Sequence, residues 1–372
     1  MTLSSPRYAS SVGKGEAPAR ELASFGLAEA SPVGVFESNA SRVLVDVPLD
    51  ELIGSSGGIP AVYAVPGEEE PRSVSLDSSL VSELERDVQF YLSAGIEVYL
   101  RFEIPSPVPG LTPPDSGEGW KGYMPDMDSP AAMSLWRALA EFFGERFPAV
   151  GGMVLPGPAN DPETAGGGAD FADPAVYAER LAGLCALTYR AAADSDPDLL
   201  VVLPLRASGG EGEDLLDARL LTVMTACRIA ESGEIPWAVL THAGVDSEVP
   251  AAVTVTAAMA GSQTVPAKKP EALLYLYEPT QEGIDEGYRG YTSTPARERT
   301  DALSPMEFFA KEYLNFSDAC GPDARAVFAS LTDVAWRGDH DFYDMLKRMA
   351  KTNAGVHSGQ AKTLTEFRSY SR

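Results

Sequence analysis

Residues 271–280, EALLYLYEPT, end a continuous apolar and aromatic run on an acid, Glu278, followed by Pro279. A run of this kind reads as a strand buried on both faces, as in parallel sheets. A carboxylate ending such a strand lies at the sheet's C-terminal rim, where α/β proteins place their chemistry. Other strand-like segments bring similar groups to their ends. Residues 96–102 (IEVYLRF) deliver Glu103, and 42–47 (RVLVDV) carry Asp46 in their last turn of alternation. Residues 150–155 run into PGPANDP with Asn160 and Asp161; 236–241 (PWAVLT) end on His242; 324–331 (ARAVFASL) lead to Asp333 and Trp336. Carboxylates mixed with aromatics suit sugar chemistry. One carboxyl protonates the leaving oxygen of a glycosidic bond while another attacks or stabilises the anomeric carbon, and aromatic faces stack on the apolar side of a sugar ring. Glu278 is the leading candidate. For Asp46 and Asp333 the competing reading is a loop cap, for His242 a hydrogen-bonded rim residue, and for Trp336 part of a lid.

These groups share one mouth only if the strands are parallel and neighbouring, and the intervening segments predict that. Residues 77–94 form an amphipathic helix with Leu80, Leu84, Val88 and Tyr91 on one face, closed by Gly95. Three helices start with a capping residue followed by proline, at Ser129-Pro130, Asp173-Pro174 and Ser304-Pro305. The first of them carries Met133, Trp136, Leu139 and Phe143 on one stripe, which is core packing against a sheet. Further helices are expected at 214–231 and 342–351. With 42–47, 59–65, 96–102, 150–155, 199–205, 236–241, 271–277 and 324–331 as strands, eight β-then-α units predict an α/β fold, a (β/α)8 TIM barrel, irregular at its first β/α unit because strands one and two are joined too closely for a helix. An open doubly wound sheet is the alternative, without the glycine-rich dinucleotide fingerprint it often carries. Residues 1–32, rich in Ser, Ala and Gly, are expected to be a flexible N-terminal arm, 33–355 the single barrel, and 356–372 a polar tail.

The order of these residues resembles the large clan of (β/α)8 retaining glycoside hydrolases over roughly residues 42–350. In that clan the acid/base follows an Asn after the fourth strand, commonly as Asn-Glu-Pro, and the nucleophilic Glu ends the seventh. Here Asn160-Asp161-Pro162 follows the fourth candidate strand and Glu278 ends the seventh; His242 falls where the clan often has a sixth-strand His or Tyr, and Ala329–Trp336 (ASLTDVAW) is similar to the eighth-strand segment with its sugar-platform Trp. The resemblance implies catalytic roles for Glu278 and Asp161 and substrate contacts for Asn160, His242 and Trp336; Asp333 and Asp46, read from the strand ends, are further candidates for substrate contact. Asp161 is a methylene shorter than the expected Glu and lies beyond Pro156 and Pro158, so Glu103 from the third strand is the alternative acid. A catalytically degenerate barrel serving as a carbohydrate-binding or structural module is the alternative to a working enzyme.

Charge and composition exclude other classes. The chain of 372 residues is 44% hydrophobic and carries 29 basic against 54 acidic residues, a net charge of -25. Such a field repels phosphate backbones and anionic lipid, so neither nucleic acid nor membrane insertion is expected. The partner expected is carbohydrate; the sequence assigns no oligomeric state. Cys185, Cys227 and Cys320 share no short spacing and read as buried thiols. His242, His340 and His357 are scattered, so no metal and no cofactor is expected. Gly54-Ser55-Ser56-Gly57-Gly58 matches a nucleophile elbow in letters, but a strand-like segment follows where the elbow needs a helix. Gly166–Gly168 open no phosphate-binding motif, and Lys268 and Lys269 precede their strand, at the wrong rim for a Schiff-base aldolase. Residues 1–30 lack the apolar core of a signal peptide and no apolar run reaches membrane-spanning length. This predicts a soluble chain without an export signal of its own, and is compatible with a domain excised from a secreted or cell-surface protein.

Overall fold

Eight parallel strands close into a barrel in the computed structural model, which describes residues 23–28, 35, 40–54, 58–113, 123–165, 173–206, 215–233, 235–243, 270–276, 313, 316–317, 319–320 and 324–330. In chain order the strands are β1 (Ser24–Ala28), β2 (Arg42–Pro48), β3 (Ile59–Tyr63), β4 (Arg72–Leu76), β5 (Glu97–Glu103), β6 (Gly152–Val154), β7 (Leu200–Arg206), β8 (Trp237–Ala243), β9 (Glu271–Leu276) and β10 (Ala324–Ser330). The helices are α1 (Leu49–Leu52), α2 (Ser78–Ser93), α3 (Pro130–Arg146), α4 (Pro162–Ala165), α5 (Pro174–Ala192) and α6 (Ala218–Ser232). Around the barrel the order is β1-β2-β5-β6-β7-β8-β9-β10, closed by β10 pairing with β1.

Two strand assignments change. Residues 59–65 are not the second barrel strand: β3 pairs antiparallel with β4 in a separate two-stranded sheet. Pro60 lacks an N–H for a central ladder, and β3 exposes Pro60 and Val62 while burying Ala61 and Tyr63, a one-faced ribbon rather than a strand covered on both sides. The missing barrel strand is β1, inside the segment expected to be a flexible arm. On it Leu27 and Ala28 are fully buried. The strand at 42–47 is therefore the barrel's second, and β5 to β10 keep the ordinals three to eight.

Helix starts follow their caps. Asp77, Ser129, Asp173 and Asp217 accept hydrogen bonds from the first backbone N–H groups of α2, α3, α5 and α6, at 2.8, 3.3, 3.0 and 2.9 Å respectively. Pro130 and Pro174 occupy the first helical positions as expected; the Ser304-Pro305 start and the helix at 342–351 lie outside the described residues. On α3 the apolar stripe packs on the sheet, with Trp136 edge-on to Phe102 of β5 at 5.4 Å and its Nε1 donating to Thr188 of α5 at 2.8 Å. Cys185 and Cys320 are buried and Cys227 is half-buried.

Inside the barrel, Leu44, Tyr99, Val202, Leu240, Leu273 and Phe328 form a core distinct from the larger one between sheet and helices. Large rings fit because small residues face them: a Cβ on Gly152 would stand 2.8 Å from Tyr99, and one on Gly26 would stand 2.5 Å from Phe328. Beneath Tyr99, the N-terminal rim is crossed by ion pairs. Glu97 meets Arg42 and Arg325, each at 2.6 Å, and Arg325 also meets Glu271 at 2.6 Å. The Tyr99 hydroxyl donates to Glu97 at 2.8 Å. Burial pushes the Glu97 carboxyl up, but Arg42 and Arg325 outweigh it and hold the group at about 2 against an ordinary 4.5. A depressed carboxylate stabilises the fold above its unfolded pKa and loses that contribution as pH falls through the folded one. The unfolding free energy is thus expected to drop by about 3 kcal/mol from this group between roughly pH 4.5 and pH 2. Urea titrations across that window check it: Glu97→Gln should flatten the dependence, and an unchanged slope would contradict the assignment.

Candidate active site

Strand alternation sends Glu97, Tyr99, Arg101 and Glu103 to one face of β5, the face that lines the barrel. Arg101 and Glu103 therefore lie towards the C-terminal mouth. Arg101 is opposite Asp46 in the β2–β5 register, and the two meet in a fork: Nε donates to Oδ1 at 2.6 Å and Nη2 to Oδ2 at 3.0 Å. Glu103 Oε1 is 3.2 Å from the same Nε. On its other side the guanidinium lies over the Tyr275 ring of β9, 4.9 Å from the centroid, and Tyr275 meets His242 of β8 edge-on at 4.9 Å. One side chain, 5% exposed, thus spans from the barrel's second and third strands to its seventh. Burial pushes the Arg101 pKa down, but Tyr275, Asp46 and Glu103 outweigh it and hold the guanidinium charged well above the ordinary value.

The loop after β6 is built differently. Asn160 is fully buried. Its Nδ2 donates to the carbonyls of Arg206 at 2.9 Å and Leu216 at 3.1 Å, and its Oδ1 accepts from the Arg206 N–H at 2.7 Å. The neighbouring Ala159 carbonyl accepts from the Tyr177 hydroxyl of α5 at 2.6 Å. Asp161, 6% exposed, pairs with Arg206 Nη1 at 3.3 Å. The Asn160 amide thus ties the fourth strand's loop to the end of the fifth strand and the approach to α6. Asn160 is therefore a loop bracket in this fold. Removing it leaves the Arg206 N–H and two carbonyls buried without their partner, so Asn160→Ala is expected to lower stability by about 2–3 kcal/mol, read as a shift of the urea midpoint. A shift below about 0.5 kcal/mol would show that water replaces the amide.

Of the sequence candidates, Asp46, Glu103 and His242 share the mouth through Arg101 and Tyr275, whereas Asp161 is held beside Arg206. Glu278, Asp333 and Trp336 lie outside the described residues. Arg101, Tyr275 and Arg206 went unremarked as site residues, although Arg101 is a charge inside an apolar strand run and shares the alternation of Glu103. Among the described residues no group of His, Cys, Asp and Glu is placed to hold a metal ion, and no helix is long and apolar enough to cross a membrane.

The barrel fold has solved counterparts. The GH53 catalytic domain from Ignisphaera aggregans superposes with a TM-score of 0.52 at 10% identity, over 85% of this chain and 86% of that one. The chain has the fold of the glycosidase-like (β/α)8 barrels. Two other such barrels are similar in outline: the catalytic domain of beta-amylase from Paenibacillus polymyxa (TM-score 0.49, 7% identity, 92% and 100% covered) and a GH5-4 broad specificity endoglucanase from Bacteroides salanitronis (0.49, 11%, 88% and 86%). No family model matches the chain, and no curated protein matches it at a significant level. Asp46, Arg101, Glu103, His242 and Tyr275 converge at the C-terminal mouth, the face at which (β/α)8 barrel enzymes carry their active sites.

Proposed function

We propose that the chain binds a poly- or oligosaccharide at this mouth and hydrolyses it by a two-carboxylate retaining mechanism, with Glu278 as nucleophile and Glu103 as acid/base. The observation that carries the choice of acid is the contrast between two carboxyls: the Glu103 side chain is 44% exposed on the inward face of β5, while the Asp161 side chain is 8% exposed beside Arg206. A general acid must reach the leaving oxygen within hydrogen-bond distance, and of the two Glu103 is open to do so. Tyr275 and His242 supply ring edges deeper in the same mouth, and Trp336 the platform that the sequence places after the eighth strand. Asp333 is assigned to the rim beside it.

A second reading has its own support. The fourth-strand segment that resembles an acid motif is bound internally through Asn160 and Asp161. That is the pattern of a barrel kept for carbohydrate binding or structure after losing its acid. Hydrolysis of a panel of plant and microbial polysaccharides and aryl glycosides by the native chain separates the two. Turnover, with the anomeric configuration of the first-formed sugar kept, supports a retaining pair, whose carboxyls stand about 5–5.5 Å apart. Inverted product points to the wider pair of roughly 6.5–9.5 Å. Binding of panel members without turnover supports the degenerate barrel.

A further inference from the structure

We propose that the ion cluster on the N-terminal rim is a latch: it fastens β10 to the first half of the barrel, and its release opens the ring along the line between β1 and β2 while the middle strands stay folded. The latch lies at the opposite rim from the sugar site read above and does not depend on that reading.

It is built on an irregularity. Ala324 pairs with Ala272 of β9 and Ala326 with the next residue, Leu273, so Arg325 is an extra residue in the ladder. Strict alternation would send Ala324 and Ala326 to the same side. Instead Ala324 packs on the outer core and Ala326 belongs to the inner one. The bulge between them turns Arg325 under the barrel floor. There its Nη2 donates to Glu97 of β5 and its Nη1 to Glu271 of β9, each at 2.6 Å, and its Nε donates to the Tyr99 hydroxyl at 2.5 Å. The Arg325 carbonyl accepts from Arg42 Nη1 of β2, while Arg42 Nε donates to the other oxygen of Glu97 at 2.6 Å. Neither β2 nor β5 is a ladder neighbour of β10, so the cluster joins them past β1.

The ladders beside β1 are uneven. All five of its residues pair with β10, but only Gly26, Leu27 and Ala28 pair with β2. Just before β1, Ala23 is held by the segment that leads into β10: its N–H donates to Ser317 at 3.2 Å and its carbonyl accepts from the Tyr313 hydroxyl. β1 therefore moves with β10, and the bonds of Arg325 with Arg42 and Glu97 cross the line on its far side. β6 has ladders equally short, but the chain on both sides prolongs them: the Gly151 N–H donates to the Val98 carbonyl at 2.8 Å and the Leu155 N–H to the Val202 carbonyl at 2.9 Å. The latch carries weight because its charges are mostly covered, the Arg42 side chain being 15% exposed and those of Glu97 and Arg325 28%. Taking one member from such a group leaves the others without their counter-charge.

Hydrogen–deuterium exchange of the full chain, followed by mass spectrometry at urea concentrations below the unfolding transition, tests the latch. In the native chain, peptides covering 24–28 and 324–330 are expected to exchange with a weaker dependence on urea than 200–206, because a partial opening exposes less surface than unfolding. Glu97→Gln keeps the shape of the acid and removes the charge shared by both arginines. It should speed exchange in 24–28 and 324–330 by about tenfold or more, and in 200–206 as well, since the latch is broken in the opened and the unfolded chain alike. Asn160→Ala separates the two states. The bracket it removes lies among strands that stay folded on opening, so 200–206 should speed while 24–28 and 324–330 keep their native rates. If Glu97→Gln does not fold, Arg325→Lys keeps the charge but cannot hold three partners at once, and should move 24–28 and 324–330 in the same direction. Native rates for those two peptides in the folded latch variant overturn the inference. So does their speeding in Asn160→Ala by the same factor as 200–206, which would mean that the barrel opens only as a whole.

Discussion

Glu278→Gln and Glu103→Gln should each lower kcat on any sugar the native chain hydrolyses by a factor of about 10²–10⁴, while Asp161→Asn lowers it by less than about tenfold. Each amide keeps the shape of its acid and removes the proton chemistry, so the loss reads the step and not the fold. The contrast with Asp161 follows from where the carboxyls point. Glu103 shares the inward face of β5 with Arg101 and is open to the mouth, whereas Asp161 lies against Arg206 in a loop bracketed by Asn160. Purified variants assayed at the native optimum, with midpoints of thermal unfolding beside them, check the prediction. Loss in Asp161→Asn comparable to that in Glu103→Gln would return the acid to the fourth strand. Full activity in Glu278→Gln would remove the seventh-strand nucleophile.

The second large effect is on stability. Arg101→Met is expected to lower the unfolding free energy by about 3 kcal/mol. Methionine fills much of the arginine's volume, so the loss is electrostatic: Asp46 and Glu103 are left as neighbouring acids without their cation, and Tyr275 loses the charge above its ring. Replacing both members of a buried pair is cheaper than replacing one. Arg101→Met with Asp46→Asn should accordingly recover part of the loss, and a double-mutant cycle in urea measures the coupling. Additive losses would mean that the fork contributes nothing beyond its separate parts.

How far these sites were legible in the sequence depended on what kind of signal each residue gives. Caps followed by proline at Ser129 and Asp173 announced helix starts because the cap and the ring act locally. The (β/α)8 architecture was legible because its buried strands are continuous apolar runs. β1 was hidden because SFGLA is short and sits in a Ser-, Ala- and Gly-rich context, where composition speaks for a loop. β3 deceived in the other direction: IPAVYAV has strand composition, but its alternation and Pro60 belong to a ribbon with one face in solvent. The two errors cancelled in the count, which is why β5 to β10 kept their ordinals and Glu103 its place at the end of the third strand. The fate of Asn160 was not legible, since no local pattern tells that its amide meets Arg206 and Leu216, 46 and 56 residues away. Arg101 was half legible: its place on the Glu103 face is simple alternation, while its reach to Tyr275 is a property of the closed barrel.

The ion pairs across the N-terminal rim have a consequence for the growing chain. Arg325 is made 228 residues after Glu97, so at about 5–20 residues per second the acid waits on the order of 10–50 s on the ribosome for its second arginine. During that interval β2 and β5 can pair while β10 does not yet exist, and the early strands form an open sheet with a bare edge. Such an edge invites pairing with other chains. The acids on the emerging part, from Asp46 through the run Glu68–Glu70 to Glu97, keep neighbouring nascent chains apart by charge until the last strand closes the ring.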